Sequence, residues 1–388
     1  MTKISNINSP QTRTAQAGIG DDPAFNAVTP PLYTSSTYVW PDMETKGPYD
    51  YGRTVNPTRD MLARALTRLE GGAGGVITNS GMAAVDLCLN LINADALVLA
   101  PHDCYGGTHR LLTHRARQGR LKVVFVNQAD AAALDEAFAA RPAMVLIETP
   151  SNPLMRLVDI DAMAQRARNL GAISVCDNTF MSPARQNPLA FGCHIVLHST
   201  TKYINGHSDV VGGAVIAGTS GHAEQLHWWA NTAGLTGAPF DSWLTLRGLK
   251  TLHARMDVQE GNARALADYL AAHDQVDRVY YPGLESDPGY NLARQQQSGP
   301  GAMLSFEIAG DFRRAKTFLS NLHIFQLAAS LGGTESLICQ PALMTHAGMD
   351  PAARREAGIQ DNLIRVSAGM EALEDLIADF ERAFQSAA

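Results

Sequence analysis

The chain has 388 residues, 45% of them hydrophobic and 18% charged, with a formal net charge of -7. At roughly 150 residues per domain that length suggests two or three domains, with cores large enough to need no disulfide staples. The mixed charge offers no basic patch for nucleic acid and no polybasic run for anionic lipid, and every apolar stretch falls far short of the roughly 18 residues of a membrane span.

The first sixty residues carry Pro30, Pro31, Pro41, Pro48 and Pro57 without a sustained period, and read as an extended arm over 1–60. The opening MTKISNINSPQTRTAQAG lacks the apolar core of a signal peptide. From about residue 70 short apolar runs at 75–78, 96–100, 121–126, 143–148, 172–177 and 194–198 alternate with amphipathic stretches at 80–93, 107–118, 130–140 and 160–170. A further apolar run at 210–217 closes the series. Several runs are apolar on both faces, which suits a mostly parallel sheet covered on both sides. The repeated βα pattern predicts an α/β domain over 61–250. Residues 221–275 are helical in pattern. Strand candidates at 276–281, 302–308 and 363–367, with helix candidates at 312–321 and 371–385, predict a smaller α+β domain over 251–388. Cys88, Cys104, Cys176, Cys193 and Cys339 are odd in number and widely spaced, with no CxxC pair. That argues against a disulfide framework and a zinc site, and fits a reducing cytoplasm. His198 and His207 lack acidic or cysteine partners at ligand spacing, so no metal is expected.

Lys202 follows the run 194–198, directly after Ser199, Thr200 and Thr201. Alone it would read as a surface lysine. The hydroxyl cluster suits phosphate oxygens, and a desolvated lysine amine can attack an aldehyde. Asp177 ends the run AISVCD, 25 residues earlier. That spacing leaves room for one turn of βα and a further strand, so both residues fall at one sheet edge. An aspartate there could keep the pyridine nitrogen of pyridoxal phosphate (PLP) protonated, or simply cap a helix. Gly81 and Met82 open a helix after a glycine-rich strand, where backbone N–H groups can cradle phosphate or merely turn the chain. The pattern is neither GxGxxG nor GxxxxGK[ST]. Tyr105 in PHDCYGG could stack on a flat ring and move a proton, Asn152 in ETPSNP could hydrogen-bond the cofactor, and Arg365 in LIRVSAG has a fork that matches a carboxylate. Each of these has an ordinary structural explanation; their force is joint, because five strand ends deliver the residue types that PLP needs.

The segments YGRTVNPTRD, LEGGAGGVITNSGMAA, APHDCYGGTHR, ETPSNP, DNTFMSPARQNPLAFG, HSTTKYINGHSDVVGG, SLGGTESL, MTHAGM and LIRVSAGME resemble the Cys/Met-metabolism branch of the fold type I PLP enzymes. The likeness runs from about residue 25 to 385 and, within that branch, is strongest to the γ-synthases. It implies an aspartate aminotransferase-like fold and a Schiff base on Lys202, which also shuttles protons. It implies that Asp177, with Thr179 beside it, serves the ring nitrogen and that Tyr105 stacks on the ring. Gly81, Met82, Ser199 and Thr201 would hold the phosphate, with Tyr51 and Arg53 reaching it from a neighbouring subunit of a homotetramer. Asn152, Ser336 and Arg365 would bind the substrate carboxylate, while Arg110 and Glu335 would serve the distal part of a small amino-acid substrate. The implied reaction joins an O-acylhomoserine, O-succinylhomoserine in the first instance, to cysteine, forming cystathionine. α,γ-Elimination of cystathionine is the alternative, and a non-catalytic PLP-binding protein is the reading from another class. One departure stands out. The synthase pattern usually carries a second arginine after the phosphate arginine, and here Thr54 follows Arg53.

Overall fold

The computed structural model describes residues 9–387; residues 1–8, the start of the expected arm, lie outside them. α1 (Pro10–Ala15) leads into extended chain that forms one isolated bridge, Thr37 to Tyr51. α2 (Pro57–Glu70) begins inside the stretch expected to be irregular. Asn56 Oδ1 accepts the Arg59 N–H at 3.1 Å, Pro57 occupies the first turn, and Gly71 ends the helix at φ 73°. The expected boundary at 60 thus cuts a helix. The proline that suggested irregular chain sits at the one helical position that tolerates it.

The βα series then runs β1 (Gly74–Thr78), α3 (Gly81–Leu89), β2 (Leu97–Pro101), α4 (Gly106–Arg117), β3 (Lys122–Val126), α5 (Ala131–Ala139), β4 (Met144–Glu148), α6 (Ile160–Asn169), β5 (Ile173–Asp177), α7 (Ser182–Arg185), β6 (Ile195–His198) and β7 (Gly213–Ala217). The sheet order is β1-β7-β6-β5-β4-β2-β3, parallel from β6 through β3, with β7 antiparallel to both neighbours. Alternation along β4 shows why its sequence reads as unbroken apolar. Met144 and Leu146 pack beneath α3, α4 and α8 (Ser220–Ala233), while Val145 and Ile147 pack against α5 and α6. β7 starts three residues later than the run at 210–217 suggested. There Thr201 Oγ1 donates to the Gly212 carbonyl at 3.2 Å and accepts the Gly212 N–H at 3.0 Å, so this segment bonds to the Lys202 loop instead of a ladder.

α9 (Pro239–Leu249) and the long α10 (Leu252–Ala271) follow, and the expected boundary near 250 falls between them. The remainder comprises β8 (Val276–Tyr280), α11 (Tyr290–Gln296), β9 (Met303–Ile308), α12 (Phe312–Ser320), β10 (Gln326–Leu327), β11 (Leu337–Cys339), α13 (Pro351–Glu356), β12 (Leu363–Ser367) and α14 (Leu373–Ser386). Its sheet, β10-β11-β12-β9-β8, is antiparallel except at β10. One continuous apolar cluster joins α2, α9 and α10 to β9, β12 and α14 through Leu66, Leu249, Leu266, Phe306, Val366 and Phe380. This packing ties the smaller sheet, with Arg365 on β12, to α2, α9 and α10.

Candidate active site

Four parallel strands and β1 end at one edge of the large sheet, and each delivers side chains to a single cavity of about 290 Å³. After β1, Ser80 caps α3 by accepting the Ala83 N–H at 3.1 Å. The Gly81 and Met82 N–H groups are left at the open first turn, where no intrahelical partner exists. A Cβ on Gly81 would stand 2.7 Å from Ser199 Cβ, so only glycine lets these two phosphate candidates close on one another.

β5 ends in Asp177, whose Oδ1 accepts the Thr179 N–H at 3.0 Å. Thr179 Oγ1 accepts the Ser199 N–H at 2.8 Å, which ties the loop after β5 to the loop after β6. Burial pushes the Asp177 carboxyl above its ordinary range; the Thr179 hydrogen bonds and nearby His198 oppose the rise. Lys202 lies on the loop after β6 and donates to Ser330 Oγ at 2.9 Å. Burial, then the Arg365 charge, lower its amine to about 8.

The far wall is built around Arg365, in the centre of β12 and only 3% exposed. Its guanidinium donates to Asn152 Oδ1 at 2.9 Å and to the Ser330 carbonyl at 3.0 Å. Both partners are neutral, and no carboxylate among the described residues forms an ion pair with it. A buried cation held only by neutral acceptors and facing a cavity can receive an anion such as a carboxylate.

Residues 11–385 match the profile of the Cys/Met metabolism PLP-dependent enzyme family. The chain belongs to that family. It is 51% identical to the cystathionine gamma-synthase of Escherichia coli K12, over 97% of this chain and 98% of that one. It is 42% identical to the cystathionine gamma-lyase of Bacillus subtilis 168, over 97% and 99% of the two chains. The crystal structure of cystathionine gamma synthase from Xanthomonas oryzae pv. oryzae in complex with cystathionine superposes with a TM-score of 0.97, at 50% identity and 98% coverage of each chain.

A PLP-dependent enzyme needs an amine, an acid for the ring nitrogen, a stacking surface and a phosphate cradle. The cavity has candidates for all four. Lys202 supplies a desolvated amine and Asp177 a buried carboxyl. Tyr105, at the start of α4, stands at the cavity wall with its ring against the Met82 side. Gly81, Met82, Ser199 and Thr201 line the end where the phosphate would sit. Among the described residues no cluster of histidine, cysteine, aspartate and glutamate is arranged to hold a metal ion.

Five candidates lie elsewhere in this chain. Tyr51 and Arg53 sit on the arm, outside the cavity, with the Arg53 guanidinium 5.6 Å from the Tyr51 ring centre and 3.0 Å from Asn231 Oδ1. Arg110 is exposed on α4 near Gly348. Glu335 accepts the Ser208 hydroxyl beside the cavity rather than in it. Ser336 needs correction: its hydroxyl donates to Glu371 Oε2 at 2.8 Å and accepts the Gly369 N–H at 2.9 Å, facing away from Lys202 and Arg365. The serine that meets both of them is Ser330, at the other end of the same SLGGTESL segment. The sequence pattern also passes over Glu148, which ends β4 as Asp177 ends β5 and faces it directly in register. The sign that singled out Asp177, an acid closing a largely apolar strand, is present in AMVLIE as well.

Proposed function

We propose that this enzyme carries out PLP-dependent γ-replacement, joining an O-acylhomoserine to cysteine to form cystathionine. The supporting relatives are those named above, and the observation that carries the reading is the placement of unpaired Arg365 beside a partly neutral Lys202. When bound, PLP supplies an electron-withdrawing ring that stabilises negative charge at substrate carbons. Arg365, braced by Asn152 and the Ser330 carbonyl, would take the substrate α-carboxylate bidentately and so hold Cα over Lys202 Nζ. Lys202 Nζ would remove and return the proton at Cα, with Ser330 Oγ orienting the amine. Tyr105 would cover the ring and serve as a second proton carrier. Arg110 and Glu335 would meet the distal part of the substrate.

The arm supports a shared site in a homotetramer. Phe25, Val28, Val39 and Met43 are 88%, 68%, 94% and 95% exposed, a series of large apolar side chains that a partner surface would cover. Tyr51 and Arg53 on the same arm would then serve the partner's phosphate end. The five free, buried cysteines support a cytoplasmic setting.

α,γ-Elimination of cystathionine is the second reading, favoured by Thr54. This residue hydrogen-bonds Asn231 Oδ1 at 3.2 Å and brings no charge for a distal carboxylate. Parallel assays of O-succinylhomoserine, O-acetylhomoserine and cystathionine, each with and without cysteine, decide between them. Release of succinate or acetate that depends on cysteine supports replacement. Release of 2-oxobutanoate from cystathionine alone, with no cysteine-dependent reaction, overturns it.

A further inference from the structure

Glu148 is a buried carboxyl, 9% exposed, that the reading above leaves without a part to play. Each of its oxygens accepts a different backbone N–H: Oε2 takes that of Tyr105 at 2.9 Å and Oε1 that of Asn152 at 3.0 Å. Both of these residues line the cavity. Tyr105 opens α4 and covers the face where the cofactor ring would lie. Asn152 holds Arg365 at 2.9 Å. We propose that Glu148 is a positioning residue that uses one carboxyl group to set the Tyr105 platform and the Asn152–Arg365 fork at a fixed separation, so that the cofactor and the substrate carboxylate are held in mutual register.

Position accounts for its choice of residue. Glu148 and Asp177 stand opposite one another at the ends of paired parallel strands, and both side chains reach the same cavity. A carboxyl group there costs free energy; burial, followed by the Asp177 charge, drives it well above its ordinary pKa. A group so placed that served only to fill space would be replaced at no loss by an apolar side chain. Two converging N–H donors need an acceptor with two separate oxygens on one rigid head, which carboxyl supplies and carboxamide does not.

Two substitutions test this, and neither test depends on which acyl group or reaction the enzyme uses. Glu148→Gln keeps the shape but turns one of the two acceptors into a donor. The clash at one N–H displaces the shared head and strains the bond to the other. Glu148→Asp keeps the carboxyl group but withdraws the head from both donors by one methylene. The measurements are the dissociation constant of PLP from the apo-protein, the dissociation constant of glycine from the holoenzyme by visible spectroscopy, and the unfolding temperature of the apo-protein. Both variants should bind PLP and glycine at least tenfold more weakly while the apo-protein unfolds within a few degrees of the parent. Affinities within twofold of the parent in either variant overturn the proposal. So does loss of one affinity with the other intact, because the role is joint. Losses that appear only together with a large drop in apo-protein unfolding temperature assign Glu148 a general structural role and also overturn it. If Glu148→Gln does not fold, Glu148→Asp decides alone by the same criteria.

Discussion

The lowered pKa of Lys202 predicts how the apo-protein takes up its cofactor. An imine forms from the neutral amine only. With the amine at about 8, about one lysine in ten is neutral at pH 7, against roughly one in 2,500 for an exposed lysine near 10.4. The pocket therefore gives Lys202 an advantage of about two hundredfold over surface lysines at neutral pH. The rate of visible-band growth after mixing apo-protein with excess PLP should rise about tenfold per pH unit below 8 and level off above it. Arg365→Met removes the neighbouring cation but little volume. A protonated amine is then better tolerated, the pKa rises, and the bend in the profile moves to higher pH. Burial is the larger cause and remains, so the shift should stay within about one unit, a slowing of up to about tenfold at pH 7. A parent profile that levels only near pH 10, or a bend that moves to lower pH in Arg365→Met, would refute the electrostatic reasoning.

Three further substitutions have defined outcomes. Arg365→Lys keeps the charge but cannot reach Asn152 Oδ1 and the Ser330 carbonyl together while forking a carboxylate. kcat/KM for any α-amino-acid substrate should fall by about a hundredfold, chiefly through KM, in steady-state assays. In Gly81→Ala the new methyl meets Ser199 Cβ at 2.7 Å, forcing apart the two sides of the phosphate cradle. PLP affinity measured by equilibrium dialysis should drop about tenfold or more, with a smaller effect on melting. Gly206→Ala combines a φ of +72° with a methyl placed 1.9 Å from Arg255 Nη1. It should cost about 3 kcal/mol or more in denaturant unfolding, and an unchanged midpoint would contradict the backbone described here.

Legibility in the sequence followed physical range. The strands of the large sheet could be read because each is a short run dominated by apolar residues, and the first of their helices because their stripes recur at helical spacing. The short β10 and β11 could not, since two or three residues carry no period. α2 was hidden by its own first-turn proline. At the site, residues at the ends of long strands could be placed from sequence, because the strand fixes the edge at which they emerge. Ser330 and Ser336 could not be told apart in this way. Both occur in one glycine-containing loop, and their roles depend on partners distant in sequence. Ser330 faces Lys202, whereas Ser336 is taken by Glu371. Glu148 was legible by the same rule as Asp177, an acid at the end of a largely apolar strand, but its role depends on the Tyr105 and Asn152 N–H groups, which lie far from it or out of strand register in the sequence.

Two buried arginines show how the fold separates support from function. Arg255 is 3% exposed and has no acidic partner among the described residues; burial lowers its pKa to about 10. Its donors are taken by Thr251 Oγ1 and by the carbonyls of Tyr203, Ile204 and Gly248. It therefore fastens the loop after Lys202 to α9 and α10, with four of its five N–H donors spent inside the chain. Arg365 is equally buried, yet its two neutral partners leave the guanidinium facing open space. The desolvation cost of the first is offset within the chain. That of the second would be offset by an arriving anion, which is the basis for proposing it as a carboxylate anchor. The same unneutralised charge helps keep Lys202 in the neutral form that reacts with an aldehyde. Pairing Arg365 with an internal carboxylate would therefore stabilise the empty protein, but would cost it both its proposed substrate anchor and part of the reactivity of its amine.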